Sequence, residues 1–312
     1  LCDSFGINID VLPKICNSTD IVGHVNKETA GICGLQEGIP VTAGAGDKPA
    51  GALGSGLAEP GMLIDESASF GAFSLCIDRF IPDTQYGTVE LIASPIDGLY
   101  YPTSFLLGSG ITLSWFLKII TGQEEPEAEN FSILEKEAVL LPPGSEGLLS
   151  VGLLDGRAYP CDPAIRGMWL GHSWTHGRAH FYRSLLESYA YEFKFFLQSF
   201  QRMYDYGYSE VRAIGGGAES DLWCQIKTDV LGIPYCRTNR SDHALLGNAI
   251  IAGCASGVFS DLVTPANRFC EVKNRFAVNE VNHSAYNSIY PVYLEALERN
   301  RDLFSTLKRS CV

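Results

Sequence analysis

Two hydrophobic periods divide this chain. Short apolar runs bounded by glycine, proline or small polar residues fall at 39–45, 62–65, 70–77, 89–93, 100–105, 148–154 and 211–214, and predict strands, while 168–171 is short and apolar. Longer stretches predict helices over 27–33, 48–57, 111–120, 131–139, 175–203, 220–230, 242–255 and 284–307. The segment 175–203 is the clearest, since Phe181, Leu185, Tyr189, Phe193, Phe196 and Phe200 recur at steps of four or three. Leu113, Phe116 and Leu117 mark the inward face of 111–120. Gly34 and Gly232 read as helix stops, and Pro291 as a bend in the last helix. Residues 1–40 hold a short helix around Phe5 and Ile9, and Tyr235, Cys236 and Arg237 read as an edge strand. Strands and helices alternate throughout, which predicts an α/β fold with a mixed sheet flanked by helices.

Composition narrows the picture. The chain has 312 residues, 46% of them hydrophobic, enough for a large core in one domain or two. A net charge of -13 argues against a nucleic-acid partner, which would need clustered Lys and Arg. No apolar run reaches membrane-spanning length and no signal peptide opens the chain. The ten cysteines form no Cys-x-x-Cys pair and lie among apolar residues, as reduced buried thiols do, so the expected compartment is the cytoplasm. The chain opens on Leu1, from which a longer parent protein is expected.

Four stretches carry candidate chemistry. The strand 39–45 runs into a glycine turn holding Asp47, which is placed either as a general base or as the cap of the following helix. Between two hairpin strands lie Glu66, Ser67, Ala68 and Ser69, a hydroxyl-bearing turn suited to phosphate. Gly108, Ser109 and Gly110 open a helix whose N-terminus is placed to take an anion. The strand 211–214 runs into Gly215, Gly216 and Gly217, and then into a helix capped by Ser220 or Asp221, leaving a nucleotide-sized gap. His172, His176 and His180 recur at steps of four, but no acidic or Cys ligand accompanies them. Residues 123–130 are crowded with acids and read as a solvated surface segment.

Taken in order, these stretches resemble the FGGY carbohydrate kinases, most of all their xylulokinase-like branch. Gly44-Ala-Gly-Asp-Lys-Pro-Ala-Gly-Ala-Leu-Gly is similar to that family's catalytic-Asp segment. Gly215-Gly-Gly-Ala-Glu-Ser-Asp-Leu-Trp-Cys-Gln-Ile-Lys-Thr-Asp-Val-Leu-Gly looks like its adenosine-binding segment. Asp155-Gly-Arg, Asp162-Pro-Ala-Ile-Arg-Gly, His176-Gly-Arg-Ala-His and Asp242-His-Ala-Leu-Leu-Gly resemble landmarks in between and after. The likeness runs from about residue 1 to 300.

The resemblance implies an actin-like ATPase (ribonuclease H-like) fold and ATP-dependent phosphorylation of a sugar or polyol hydroxyl, with Mg²⁺. It implies that residues 1–40 are the end of an N-terminal domain and its connection, and 41–312 the C-terminal kinase domain. The Asp-x-Gly-Thr phosphate hairpin and main sugar-binding groups would belong to a missing N-terminal domain, and the isolated fragment would be inactive. Asp47 would be the catalytic base and a metal ligand. Ala68 and Ser69 stand where the family has Gly-Thr at the ATP phosphates, a departure that keeps only one hydroxyl. Gly110 and Ser114 would line the nucleotide, and Gly216, Gly217, Ser220 and Asp221 the adenine-side loop. Lys48 stands where the family often has Gln or Asn, placed to favour the charged carboxylate or to touch a phosphate. The Ala68 departure leaves one alternative, a nucleotide-binding relative without turnover; the start at Leu1 and the missing phosphate hairpin leave another, a structural or interaction module. A homodimer is also left open.

Overall fold

The computed structural model describes residues 2–125 and 128–310. In chain order the helices are α1 (Cys2–Phe5), α2 (Lys27–Cys33), α3 (Asp47–Gly54), α4 (Gly110–Thr121), α5 (Ala128–Ala138), α6 (Arg178–Met203), α7 (Asp221–Leu231), α8 (His243–Ala255), α9 (Val263–Phe269) and α10 (Glu280–Ser310). The strands are β1 (Ile21–His24), β2 (Pro40–Thr42), β3 (Leu63–Ser67), β4 (Gly71–Leu75), β5 (Glu90–Ala93), β6 (Tyr100–Leu106), β7 (Leu149–Val151), β8 (Met168–Leu170), β9 (Val211–Ile214), β10 (Tyr235–Thr238) and β11 (Val272–Phe276). Part of the acidic segment 123–130 lies outside the described residues.

Seven strands form one mixed sheet in the order β11-β10-β9-β3-β4-β6-β5, with β1-β2 and β7-β8 as separate pairs. β3, β9 and β10 run parallel, and the remaining neighbours pair antiparallel. In β3 the side chains alternate. Ile64 packs with Tyr101 and Ile214 in one cluster, while Leu63 joins Phe73, Phe193 and Trp223 in the main core. β10 is therefore interior rather than an edge, and all four of its residues are buried. The covering strand β11 escaped the sequence reading because Lys273, Asn274 and Arg275 are exposed along it.

α6 is buried on nearly every side, between the sheet, α5, α7 and α10. Its buried charges are paired: Arg183 with Glu187 at 2.9 Å, and Glu192 with Arg157 at 3.0 Å. The phenol of Tyr286 on α10 donates to Glu187, and that of Tyr293 to Glu192. Each buried carboxylate thus has several partners, as burial requires.

α3 packs against α8 backbone to backbone. A Cβ on Gly54 would lie 1.9 Å from the His243 carbonyl, and one on Gly247 would lie 1.9 Å from that of Ala50. The small-residue runs in both helices follow from this close approach. It fixes α3, and with it the turn that carries Asp47. Among the described residues no helix is long and apolar enough to cross a membrane.

Candidate functional site

β3 and β9 end side by side, Glu66 opposite Ile214. Beyond β3 comes the turn through Ala68 and Ser69, and beyond β9 the three glycines. A cavity of about 760 Å³ opens there, lined by Ser67, Ala68, Ser69, Gly110, Ser114, Gly216, Gly217 and Ser220, among others. That volume suits a ligand of nucleotide size.

The three glycines have different causes. Gly215 has φ +81°, and a Cβ there would meet the Ser67 carbonyl at 2.7 Å. Gly217 packs against Ser67 and Trp223, where a Cβ would come within 2.5 Å and 2.6 Å of their atoms. Only Gly216 has open space where a Cβ would stand.

Beneath the turn lies a buried charge network. The Lys227 ammonium donates to Asp65 at 2.5 Å and to the Ser67 hydroxyl at 3.0 Å. Ser67 in turn donates to Asp65 at 2.6 Å. The ammonium lies 4.4 Å from the Trp223 ring centroid, over its face. Lys227 and Asp65 are both fully buried, so this network anchors the end of β3 from which the turn emerges.

The α4 N-terminus differs from the expectation of an anion site. The Gly110 N–H donates to the Ala68 carbonyl, Ile111 to Ser69, and Thr112 and Leu113 to Ser109. With its first four amides occupied, this helix end has no backbone N–H left for an anion, although among the described residues the buried Ser109 hydroxyl beside them has no hydrogen-bond partner. These bonds instead zip α4 to the turn. Ser109 reaches that position with φ +126° and is fully buried, a strained conformation for a non-glycine residue.

Asp47 is the first residue of α3, exposed, with one carboxylate oxygen accepting the Lys48 N–H at 2.8 Å. The Lys48 ammonium pairs with Glu66 at 2.8 Å rather than with Asp47. This pair ties the start of α3 to the end of β3. Asp47 itself does not line the cavity. Neither does Asp221, whose carboxylate turns to Arg237 at 2.5 Å; Ser220 caps α7 by accepting the Trp223 N–H at 3.0 Å.

Further lining residues were not singled out in the sequence: Phe131, Ser132 and Glu135 of α5, Tyr182 of α6, and Trp223. Phe131 and Glu135 stand one helical turn apart, a spacing visible in the sequence but without meaning until α5 is placed. Burial pushes the Glu135 carboxyl up from its ordinary value; Ser220 opposes this, Asp221 adds to it, and Arg237 opposes it.

The three histidines do not share a helix face, because α6 begins only at Arg178. The His176 ring accepts the Ser173 N–H and the His180 ring the Gly177 N–H, so both brace the turn into α6. Among the described residues no group of three His, Cys, Asp or Glu is placed to hold a metal ion.

A mixed sheet whose parallel strands end at a glycine-lined cavity, with helices on both faces, is an α/β fold of the actin-like ATPase type. The C-terminal domain model of the FGGY family of carbohydrate kinases matches residues 81–256, and its N-terminal domain model matches residues 1–54. The chain belongs to that family. It is 26% identical over 309 residues to the xylulose kinase of Bacillus subtilis (strain 168), covering 99% of this chain and 60% of that protein. Two solved structures share its fold. The xylulose kinase of Rhodospirillum rubrum has a TM-score of 0.84 and 23% identity over 96% of this chain and 59% of that one. The ligand-bound xylulose kinase of Lactobacillus acidophilus has a TM-score of 0.86 and 18% identity over 98% and 61%. The chain thus spans about 60% of the length of the curated relatives it matches.

Proposed function

We propose that this chain forms one wall of a sugar or polyol kinase that transfers the γ-phosphoryl group of ATP to a substrate hydroxyl, with xylulose the leading substrate. The observation that carries this reading is the cavity at the ends of β3 and β9, in a chain of the carbohydrate-kinase family. Its size fits ATP, and at Gly216 the backbone borders open space.

In this reading Ala68, Ser69, Gly110, Ser114, Gly216, Gly217 and Ser220 bound the nucleotide, while Asp221 acts one step away by holding Arg237. Asp47 orients the sugar hydroxyl and takes its proton as the phosphoryl group passes in line. Its exposure leaves the carboxylate open to substrate. Mg²⁺ binds through one or two carboxylates together with phosphates and water, so Asp47 can serve as a ligand only with nucleotide present. Bound there, the metal would neutralise charge on the transferring group. Among the described residues the cavity lining holds no Lys, Arg or His, so this wall alone does not neutralise a triphosphate.

The second wall would come from the part of the relatives' length that the chain does not span. Residues 1–40 would be the end of that domain and its connection, and 41–312 the C-terminal domain. The apolar surface at Phe5, Val11, Ile15 and Ile32 supports a covering domain, with Ile15 95% exposed. The nine described cysteines are all free, which fits a reducing cytoplasm.

The test is a panel of sugars and polyols, xylulose included, with ADP release measured for the protein carrying both domains and for its Asp47→Asn variant. Phosphorylation of one substrate, lost in the variant, is expected. Nucleotide binding without transfer to any of them would favour the turnover-less alternative that Ala68 raises.

A further inference from the structure

The cavity wall contributed by α5 is chemically unlike the turn at Ala68 and Ser69. α5 presents Phe131, Ser132 and Glu135, and the lining also includes Tyr182, Trp223, Leu113 and Ser220. This is an apolar, aromatic surface with a carboxylate set into it. Among the described residues no ion pair neutralises Glu135. The nearby cation, Arg237, is already held by Asp221 at 2.5 Å.

Charge orients a nucleotide in such a space. A triphosphate is repelled by the lining carboxylates Glu135 and Glu219, so its tail points away from them, toward the Ser69 hydroxyl at the turn. The base is left against Phe131, Tyr182 and Trp223, where an aromatic ring gains most from burial. There it meets Glu135. An ionised carboxylate only accepts hydrogen bonds, so it discriminates among bases by what they donate.

We propose that Glu135 is a specificity-determining residue, accepting a hydrogen bond from the exocyclic amino group of an adenine-type base. The proposal rests on the reading of the cavity as a nucleotide site. The partial burial of Glu135 makes the contact selective: a base without the amino group leaves the carboxylate with Ser220 alone, among the described residues, as its hydrogen-bond partner in the cavity.

The test compares ATP with purine riboside triphosphate, which lacks only the 6-amino group. In the protein carrying both domains, binding of each, with Mg²⁺, is measured by calorimetry for wild type, Glu135→Ala and Glu135→Gln, with a melting curve for each. A hydrogen bond to a charged group implies that wild type prefers ATP by about 10- to 100-fold. Glu135→Ala should erase that preference, and Glu135→Gln, which keeps a carbonyl acceptor, should retain much of it. Equal binding of the two nucleotides by wild type overturns the proposal whether or not the variants fold. So does an unchanged preference in a folded Glu135→Ala. Failure of wild type to bind either nucleotide removes the nucleotide-site reading as well, which separates the two failures.

Discussion

Gly216 and Gly217 are neighbours lining one cavity, yet substituting them should have opposite consequences. A Cβ at Gly217 would stand 2.5 Å from the Ser67 Cβ and 2.6 Å from the Trp223 ring. Neither neighbour can yield easily. Ser67 is held by Lys227 and Asp65, and the Trp223 indole N–H donates to the Leu186 carbonyl at 3.1 Å. Overpacking of this kind costs about 1–3 kcal/mol. Each kcal/mol lowers Tm by about 2–4 °C in domains of 150–250 residues, and by less in a longer chain, so Gly217→Ala should melt several degrees early. At Gly216 nothing lies within 4 Å of a Cβ, so Gly216→Leu should leave Tm nearly unchanged. Its side chain would instead enter the cavity and weaken nucleotide binding by about tenfold or more, a loss of about 1.4 kcal/mol. Differential scanning fluorimetry and calorimetric titration with ATP, on the protein carrying both domains, read the two effects separately. If Gly217→Ala keeps wild-type Tm, or Gly216→Leu binds ATP as wild type does, the assignment of these two backbone positions is wrong.

Three further outcomes follow from the structure. Lys227→Met leaves Asp65 buried without its cation and should cost about 3–5 kcal/mol in urea unfolding, while adding Asp65→Leu should recover most of that; a loss under 1 kcal/mol for the single variant would count against the network. In the protein carrying both domains, Asp47→Asn should lower kcat by about 10²–10⁴ with little change in nucleotide affinity or Tm, and near wild-type turnover would remove Asp47 as the base. Burial pushes the Asp83 carboxyl up, but the N–H groups of Tyr86, Thr88 and Gln85 and the Thr88 hydroxyl outweigh it and hold it at about 2, below its ordinary 3.8. Its folded-state value is depressed, so its contribution to stability is present above pH 3.8 and fades as pH falls through about 2. The gap in Tm between wild type and Asp83→Asn should therefore close across that window, and a gap independent of pH would refute the assignment.

Much of the architecture was legible because local signals agree with the fold. Helix α2 ends where Gly34 places it, since Gly34 adopts φ +68°. The aromatic stripe of α6 and the run from β9 through three glycines to α7 are local patterns too, and a family likeness rests on the same residues. What the sequence could not rank was long-range pairing. β10 reads as an edge from its own residues, and becomes interior only because β11 arrives from 34 positions further on. Gly216 and Gly217 are the same letter, and tertiary packing alone makes one a packing contact and the other a cavity wall. The α4 N-terminus reads as an anion site until the Ala68 and Ser69 carbonyls are found on its amides. Asp47 and Lys48 are neighbours in sequence, yet Glu66 takes the Lys48 ammonium. Glu135 has no motif to announce it; only the docking of α5 beside Ser220 gives it a place in the cavity. Helix caps and periodicity are written within a few residues, so the sequence determines them. Burial, charge partners and open space depend on which distant segments meet, and those were decided by the tertiary structure.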